Sequence, residues 1–254
     1  DAWTFEELLE VCKKVTIPGE RYAIQPQMFS LANRNEGQTY TQMLWLWMSG
    51  GEVISPDGKT ASGYFDSPES KRGIQFYADL FKNGYATTED IINAFETGKV
   101  VMWTNGPWCI GNWKRDFPDV EWGATPMPRD LRGASGAGSW NIALAKSSDN
   151  KENAYKVIEA ITGKTGHAIW CSMTGNLPAR KSVLSEDPAY KEYPFDIINE
   201  QLVKTAKARP VTPAYPQISE ALMNCFAEVA FGEDVDKAVE KATKKMNEAL
   251  SQLN

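Results

Sequence analysis

Apolar residues recur at three- and four-residue spacing over most of the chain, the mark of amphipathic helices. Thr4-Phe5-Glu6-Glu7 is a capping box, and Phe5, Leu8, Leu9, Cys12 and Val15 then share a stripe, so a helix opens the chain. A second is predicted from about Tyr40, with Met43, Leu44, Trp47 and Met48 on its stripe and Gly50-Gly51 as its stop. Val53-Ile54 and Tyr64-Phe65 flank Pro56-Asp57-Gly58-Lys59, a pattern that predicts a small hairpin. Ser67 and Pro68 open a third helix running to Gly84, and Thr88 opens a shorter one ending at Gly98. Residues 99–104 read as a strand, and Asn105-Gly106-Pro107 is a turn that feeds a helix. Strands are expected at 121–127 and 139–145, on either side of the glycine-rich segment 133–138. Asp149 should cap a helix through Val157, Ile158 and Ile161, and 165–173 adds another. Helices near 194–207, 216–230 and 235–253 close the chain, the first two separated by a proline-rich loop at 209–216. Strands alternating with helices make the class α/β.

Composition narrows what such a fold can do. At 254 residues, with 42% apolar and 24% charged side chains, the chain can bury a real core in one or two domains. A formal charge of −6 with no Lys/Arg run gives no footprint for a phosphate backbone, so no nucleic-acid partner is expected. The longest apolar run, 43–48, falls far short of the roughly 20 residues that span a bilayer, so no membrane crossing is predicted. Asp1 is not preceded by a charged-then-apolar leader, so any export signal is expected to lie outside this chain. With one histidine, His167, neither a two-histidine zinc site nor a metalloprotease is expected; His167 itself reads as an exposed helical residue without a catalytic role. The four cysteines form no CxxC pair, and no cofactor or metal site is predicted. Their even number permits disulfides without requiring them, while Cys12 and Cys225 sit on apolar helical stripes where inert thiols are usual.

Tryptophan is the unusual component: nine residues, five of them between Trp103 and Trp140. The segment Gly133 to Gly138 (GASGAG) lacks the order of a dinucleotide loop and leads into a strand, so it reads as a flexible connection. Asp116, Asp119 and Glu121 could supply a glycosidase pair only if two of them faced one another, which spacing alone does not decide. More informative is the strand end at Thr104 followed by Asn105-Gly106-Pro107-Trp108. In open α/β sheets ligands sit beyond the carboxyl ends of strands, where helix N-termini offer free N–H groups. Trp108 would stand at the mouth of such a crevice, its face suited to the C–H face of a sugar and Asn105 to the hydroxyls; a structural core tryptophan is the alternative.

Phe95-Glu96-Thr97-Gly98-Lys99 together with Thr104-Asn105-Gly106-Pro107-Trp108 resembles the FxxGKxAM…NGPW segment of the maltose-binding-protein family, the family 1 extracellular solute-binding proteins of ABC importers. The resemblance extends to Trp3-Thr4-Phe5-Glu6-Glu7-Leu8, to Gly50-Gly51, to 176–183, to Arg209-Pro210 and Pro213-Ala214-Tyr215-Pro216, and to the terminal helix. It implies a type II periplasmic-binding-protein-like fold, two α/β lobes closing on a ligand presented to a membrane permease, without covalent chemistry. Carried over one residue at a time, it implies that Trp108 stacks on sugar, with Asn105 and Gly106 beside it, and that Tyr40 is a second sugar-contacting aromatic. Trp140, Tyr215 and Arg209 are further candidates. An aromatic expected near Thr88 is missing and Leu222 stands where a stacking tryptophan would be, so the resemblance implies the carbohydrate class rather than maltose itself.

The expected function is therefore an extracytoplasmic receptor delivering a sugar or oligosaccharide to ABC permease subunits. It would be monomeric at full length, and periplasmic or held outside the membrane as a lipoprotein. Binding of another polar solute, a glycerol phosphodiester or a polyamine, is the runner-up, with Arg180 and Arg209 available to a phosphate; a carbohydrate-active enzyme is the rival from a different class. The resemblance also implies lobes made of 1–137 with 188–254 and of 138–187, the remainder of the second lobe lying outside this chain. Ile142, Leu144, Val157, Ile158, Ile161, Ile169 and Trp170 are accordingly expected to be under-buried.

Overall fold

The computed structural model describes residues 2–253, which divide into two compact units. The first comprises 1–105, 126–136 and 205–254; the second comprises 106–125 and 137–204. In chain order the elements are α1 (Phe5–Val15), β1 (Tyr22–Gln25), α2 (Glu36–Met48), α3 (Pro68–Lys82), β2 (Val100–Trp103) and α4 (Trp108–Asp116). There follow β3 (Ser135–Ala137), α5 (Lys151–Thr162), α6 (Lys164–Thr174), α7 (Lys181–Glu186), a single 3-10 turn (Pro188–Lys191), α8 (Phe195–Lys204), β4 (Ala206–Ala208), α9 (Tyr215–Ala230) and α10 (Val235–Ser251).

In the first unit the capping box forms as the sequence predicts. The Glu7 N–H donates to Thr4 Oγ1 at 3.1 Å and the Thr4 N–H to Glu7 Oε2 at 2.7 Å. The helix so started buries Phe5, Leu8 and Cys12, and Phe5 stacks on Phe76 with ring centroids 3.8 Å apart. β1 and β2 pair in parallel, with Tyr22 opposite Val100 and Gln25 opposite Trp103. α2 is the centre of the unit and is buried on nearly every side, packing against α3 and α9. α3 approaches so closely that a Cβ on Gly73 would lie 2.2 Å from the Trp45 carbonyl oxygen. Trp45, Trp47, Tyr77, Phe65 and Phe226 are fully buried in the resulting core, each large apolar side chain contributing about 1.5–3 kcal/mol. α9 and α10 close it from the other side, α10 burying Ala238, Val239, Ala242, Met246 and Leu250.

The second unit is thinner. Its buried cluster is Cys171, Val183 and Tyr190, with Phe195 packed edge-on against Tyr190 at 5.5 Å. That contact lies within the stretch of the compact unit that runs to 204, and α4, in 106–125, packs against α6. The under-burial expected of seven side chains is found. Ile142, Leu144, Val157, Ile161, Ile169 and Trp170 are exposed and Ile158 is half-buried.

Several expected elements differ. Residues 53–65 form turns instead of a hairpin. Ser55 Oγ accepts the Lys59 and Thr60 N–H groups at 3.1 Å each, and Val53 and Phe65 enter the core singly. Residues 88–98 are turns because Asn93 takes a left-handed φ of 51° and Ile92 has nothing to pack on. Segments 121–127 and 139–145 form no strand, since a strand exists only with a neighbour to bond to. α2 begins at Glu36, four residues before Tyr40, with the Asn35 side chain accepting the Gly37 N–H at 2.9 Å. Asn150 rather than Asp149 occupies the N-cap of α5, and the helix expected to run to 207 gives way at 204 to β4. β1, α7 and β4 are too short to show a period.

His167 is half-buried rather than exposed. Its Nε2 accepts the Ala179 N–H at 2.9 Å and lies 3.7 Å from Cys171 Sγ, pinning the loop between α6 and α7. All four cysteines are buried, and Cys12, Cys171 and Cys225 are free thiols.

Candidate functional site

In the first unit two helices present matched pairs of side chains. Glu36 and Tyr40 are four residues apart on α2, and Tyr215 and Ser219 are four apart on α9, so each pair shares one side of its helix. Arg209, in the loop after β4, inserts among them. Its Nη1 donates to Glu36 Oε1 at 2.7 Å, and its guanidinium carbon lies 5.2 Å from the Tyr40 ring centroid and 5.8 Å from that of Tyr215. The Tyr215 and Ser219 hydroxyls also donate to the Glu36 carboxylate, and Ser219 Oγ is 2.9 Å from Thr39 Oγ1. Glu36 opens α2, where the positive end of the helix dipole favours a carboxylate.

These contacts set the protonation states. Burial raises the Tyr215 phenol, reinforced by the Glu36 carboxylate that it bonds. Burial likewise raises Tyr40, against the opposing charge of Arg209. Burial works against the Arg209 charge, but the bonds to Glu36 and Tyr215 more than offset it and the guanidinium is held above its ordinary value. Both phenols are therefore neutral donors, and Arg209 is permanently charged but already paired. On the strand side, a Cβ at Gly136 would fall 2.6 Å from Tyr40 Cζ, so only glycine lets β3 pass the ring.

A parallel arrangement lies one helical stretch further on. Lys207, two residues before Arg209, sits 5.1 Å from the Trp47 ring centroid and pairs with Glu52. Arg132 reaches Glu52 Oε1 at 3.0 Å and donates to the Trp47 carbonyl at 2.9 Å.

Asn105 follows β2 at the edge of the first unit, after Thr104 has bonded the Gln25 carbonyl at 3.0 Å. Trp103 is held by its indole N–H on the Gln27 carbonyl at 3.1 Å. In the second unit Trp108 is the first residue of α4. Its half-buried indole lies over Gly106, where a Cβ would come within 2.2 Å of the ring. Cys109 Sγ donates to the Gly106 carbonyl at 2.8 Å, while Trp113 packs into the interior against Trp122 at 5.2 Å. Trp140 is 85% exposed in the unpaired segment after β3. Of the seven residues expected at the site, Tyr40, Tyr215 and Arg209 come together in the first unit, which also holds Asn105, and Trp108 and Gly106 come together in the second, which also holds Trp140. Leu222 is fully buried and presents no surface to a ligand.

Glu36, Ser219 and the Lys207–Glu52 pair were not legible as site residues. The signal that could have found them is the four-residue spacing of Glu36 to Tyr40 and of Tyr215 to Ser219, each pairing an aromatic with a polar group. Among the described residues no group of His, Cys, Asp and Glu side chains is placed to hold a metal ion, and no helix is long and apolar enough to cross a membrane. A surface groove of about 680 Å³ along α10, lined by Asp66, Lys71, Asp236, Glu240, Lys244 and Asn247 among others, contains none of the expected residues.

The chain is similar in sequence and fold to known proteins. A binding protein of Brucella abortus (strain 2308) is 23% identical over 214 residues, 81% of this chain and 51% of its own. The maltotriose-binding protein of Pyrococcus abyssi is 25% identical over 239 residues, 89% of this chain and 49% of its own. Among solved structures, an ABC transporter solute-binding protein of Thermotoga lettingae, bound with α-D-tagatose, superposes with a TM-score of 0.86 at 28% identity, covering 98% of this chain and 65% of that one. This chain thus spans about half the length of these curated relatives and shares the type II periplasmic sugar-binding fold. The model for the bacterial extracellular solute-binding protein family matches residues 1–195, and the chain belongs to that family.

Proposed function

We propose that the chain is the ligand-binding part of an extracytoplasmic receptor that captures a sugar or oligosaccharide and delivers it to an ABC permease. The observation that carries this reading is the cluster of Tyr40, Tyr215, Arg209 and Glu36, in which aromatic rings adjoin fixed hydrogen-bonding groups. A sugar ring has an apolar C–H face and a hydroxyl rim, and a site that binds it needs both kinds of surface side by side. In the second unit Trp108, half-buried at the start of α4 beside the Gly106 backbone, is a candidate stacking surface in its own right, and in the first unit Asn105 is a candidate polar contact. Trp140 is the weakest member, open to solvent on an unpaired segment. The relatives named above carry tagatose and maltotriose, two carbohydrates, in support of the class. Binding is non-covalent and the reaction class is transport, with lobe closure driven by contacts formed only in the shut state. The receptor would work outside the cytoplasmic membrane, anchored as a lipoprotein or free in a periplasm, as a monomer.

The phosphodiester alternative finds less support. Arg180, one of its two candidate phosphate ligands, donates instead to the Thr162 carbonyl. As for domains, the lobes are proposed as 1–137 with 188–254 and as 138–187 completed by further polypeptide. What supports this is the exposed apolar side of α5 and α6, together with relatives in which about a third or more of the length has no counterpart here.

Calorimetric titration of the full natural polypeptide with tagatose, maltose and maltotriose tests the reading. Saturable binding without product is expected, and Trp108→Ala should weaken it by about 2–4 kcal/mol while leaving unfolding unchanged. Turnover of an oligosaccharide, or no binding across a broad sugar panel, would overturn it.

A further inference from the structure

Arg209 stands between two aromatic rings that the proposed function assigns to ligand, yet its charge is already answered. One guanidinium nitrogen is 2.7 Å from Glu36 Oε1, and the same carboxylate accepts hydrogen bonds from the Tyr215 and Ser219 hydroxyls. Glu36 therefore accepts three bonds on its two oxygens, more than is needed to hold one arginine in place. The neighbouring cations are treated alike. Lys207 pairs with Glu52, and Arg132 shares that carboxylate while also donating to the Trp47 and Gly51 carbonyls at 2.9 and 3.3 Å. The Trp47 carbonyl lies in the last turn of α2, where the helix dipole is negative and favours positive charge, and Gly51 follows three residues after the helix ends. Arg209, Lys207 and Arg132 are thus each paired with a carboxylate before any ligand arrives.

We infer that Glu36 is a specificity-determining residue: by neutralising Arg209 between Tyr40 and Tyr215 it makes the aromatic site select uncharged carbohydrate and reject phosphorylated sugars. An anionic ligand approaching Arg209 would meet the Glu36 carboxylate at nearly the same distance, and attraction and repulsion would cancel. A neutral sugar loses nothing by the pairing, because Glu36 can still accept a hydroxyl, Tyr40 can still donate, and the Tyr215 oxygen, its hydrogen already engaged by Glu36, can still accept. Removing the carboxylate while keeping its shape would uncover the guanidinium. It would turn the same cleft into an anion site, since an arginine fork is the preferred protein partner of phosphate. The inference rests on the sugar-receptor reading for its ligand, but its electrostatic core is independent of that reading.

The test is a charge-selectivity cycle on the full natural polypeptide, with wild type, Glu36→Gln, and the double variant Glu36→Gln/Arg209→Gln. Each is titrated with the neutral sugar that wild type binds best, with the 6-phosphate of that sugar, and with sulfate as a sugar-free anion. The ratio of neutral to phosphorylated affinity should fall by about tenfold or more in Glu36→Gln and return toward the wild-type value in the double variant, because like and unlike charges at a site discriminate on that scale. Sulfate should bind Glu36→Gln measurably at low salt and weaken as salt screens the charge, with no comparable binding to wild type. An unchanged ratio in Glu36→Gln, or a shift that survives removal of Arg209, overturns the inference. Should wild type bind no sugar, the receptor reading fails by itself and the sulfate arm still decides the role of Glu36.

Discussion

α10 in the first unit and α5 in the second carry comparable sequence patterns and meet different fates. α10 puts Val239, Ala242, Met246 and Leu250 on one stripe and buries all four. α5 puts Val157, Ile158 and Ile161 on one stripe and buries none of them. Both are helices, because backbone propensity and amphipathic spacing are local properties. Only α10 has an apolar surface to meet, the one offered by α9 and α3. The comparison teaches that a pattern specifies which side of a helix is to be covered, while burial and its free energy depend on the element that covers it.

The contrast can be broken by substitution. Trp45→Ala removes a fully buried ring whose indole N–H bonds the Pro26 carbonyl at 2.9 Å, and should destabilise the first unit by about 3–5 kcal/mol in urea unfolding followed by circular dichroism. A cost under about 1 kcal/mol would mean that the first core is no better packed than the second.

A second effect sharpens the contrast through pH. Burial pushes the Cys12 thiol from an ordinary 9.0 up to about 11. As pH rises through this range the unfolded chain sheds its proton first and therefore binds fewer protons than the folded one. Stability contributed by this thiol is thus present below pH 9 and is lost progressively between pH 9 and 11. A loss of about 1–2 kcal/mol across that window is expected, smaller in Cys12→Ala; equal slopes for the two proteins would remove Cys12 as the cause.

The second unit should respond more weakly. His167→Phe leaves the Ala179 N–H without its acceptor and should cost about 1 kcal/mol, seen as faster hydrogen exchange at Ala179. Ile169→Ala, on the exposed side of α6, should change stability by less than about 0.5 kcal/mol. A cost above about 2 kcal/mol at Ile169 would show that this side is covered in solution, as it would be by the rest of a second lobe.

Tyr40, Tyr215 and Arg209 were legible as candidates through the resemblance to the family, Tyr40 by its place eleven residues before Gly51 and Arg209 and Tyr215 by standing in the proline-rich segment that resembles it. Glu36 was not, because an acidic residue at the start of a helix is ordinary and its importance comes from Arg209, 173 positions away. The failures have the same origin. Residues 139–145 alternate like a strand, yet a strand is a relation between two segments, and the chain described offers this one no partner. Conversely β1 is four residues long, too short for a period to show, and exists because β2 pairs with it.

What the sequence by itself determined was therefore local: the capped helices, their apolar stripes, and through short motifs the family. Capping, propensity and i to i+4 spacing act within a few residues and need no other part of the molecule. Tertiary structure alone decided that β1 and β2 pair, that α2 is central and buried on nearly all sides, and that Glu36 answers Arg209. Those outcomes depend on contacts between segments far apart in the chain, whose energies become available only once the backbone has brought them together.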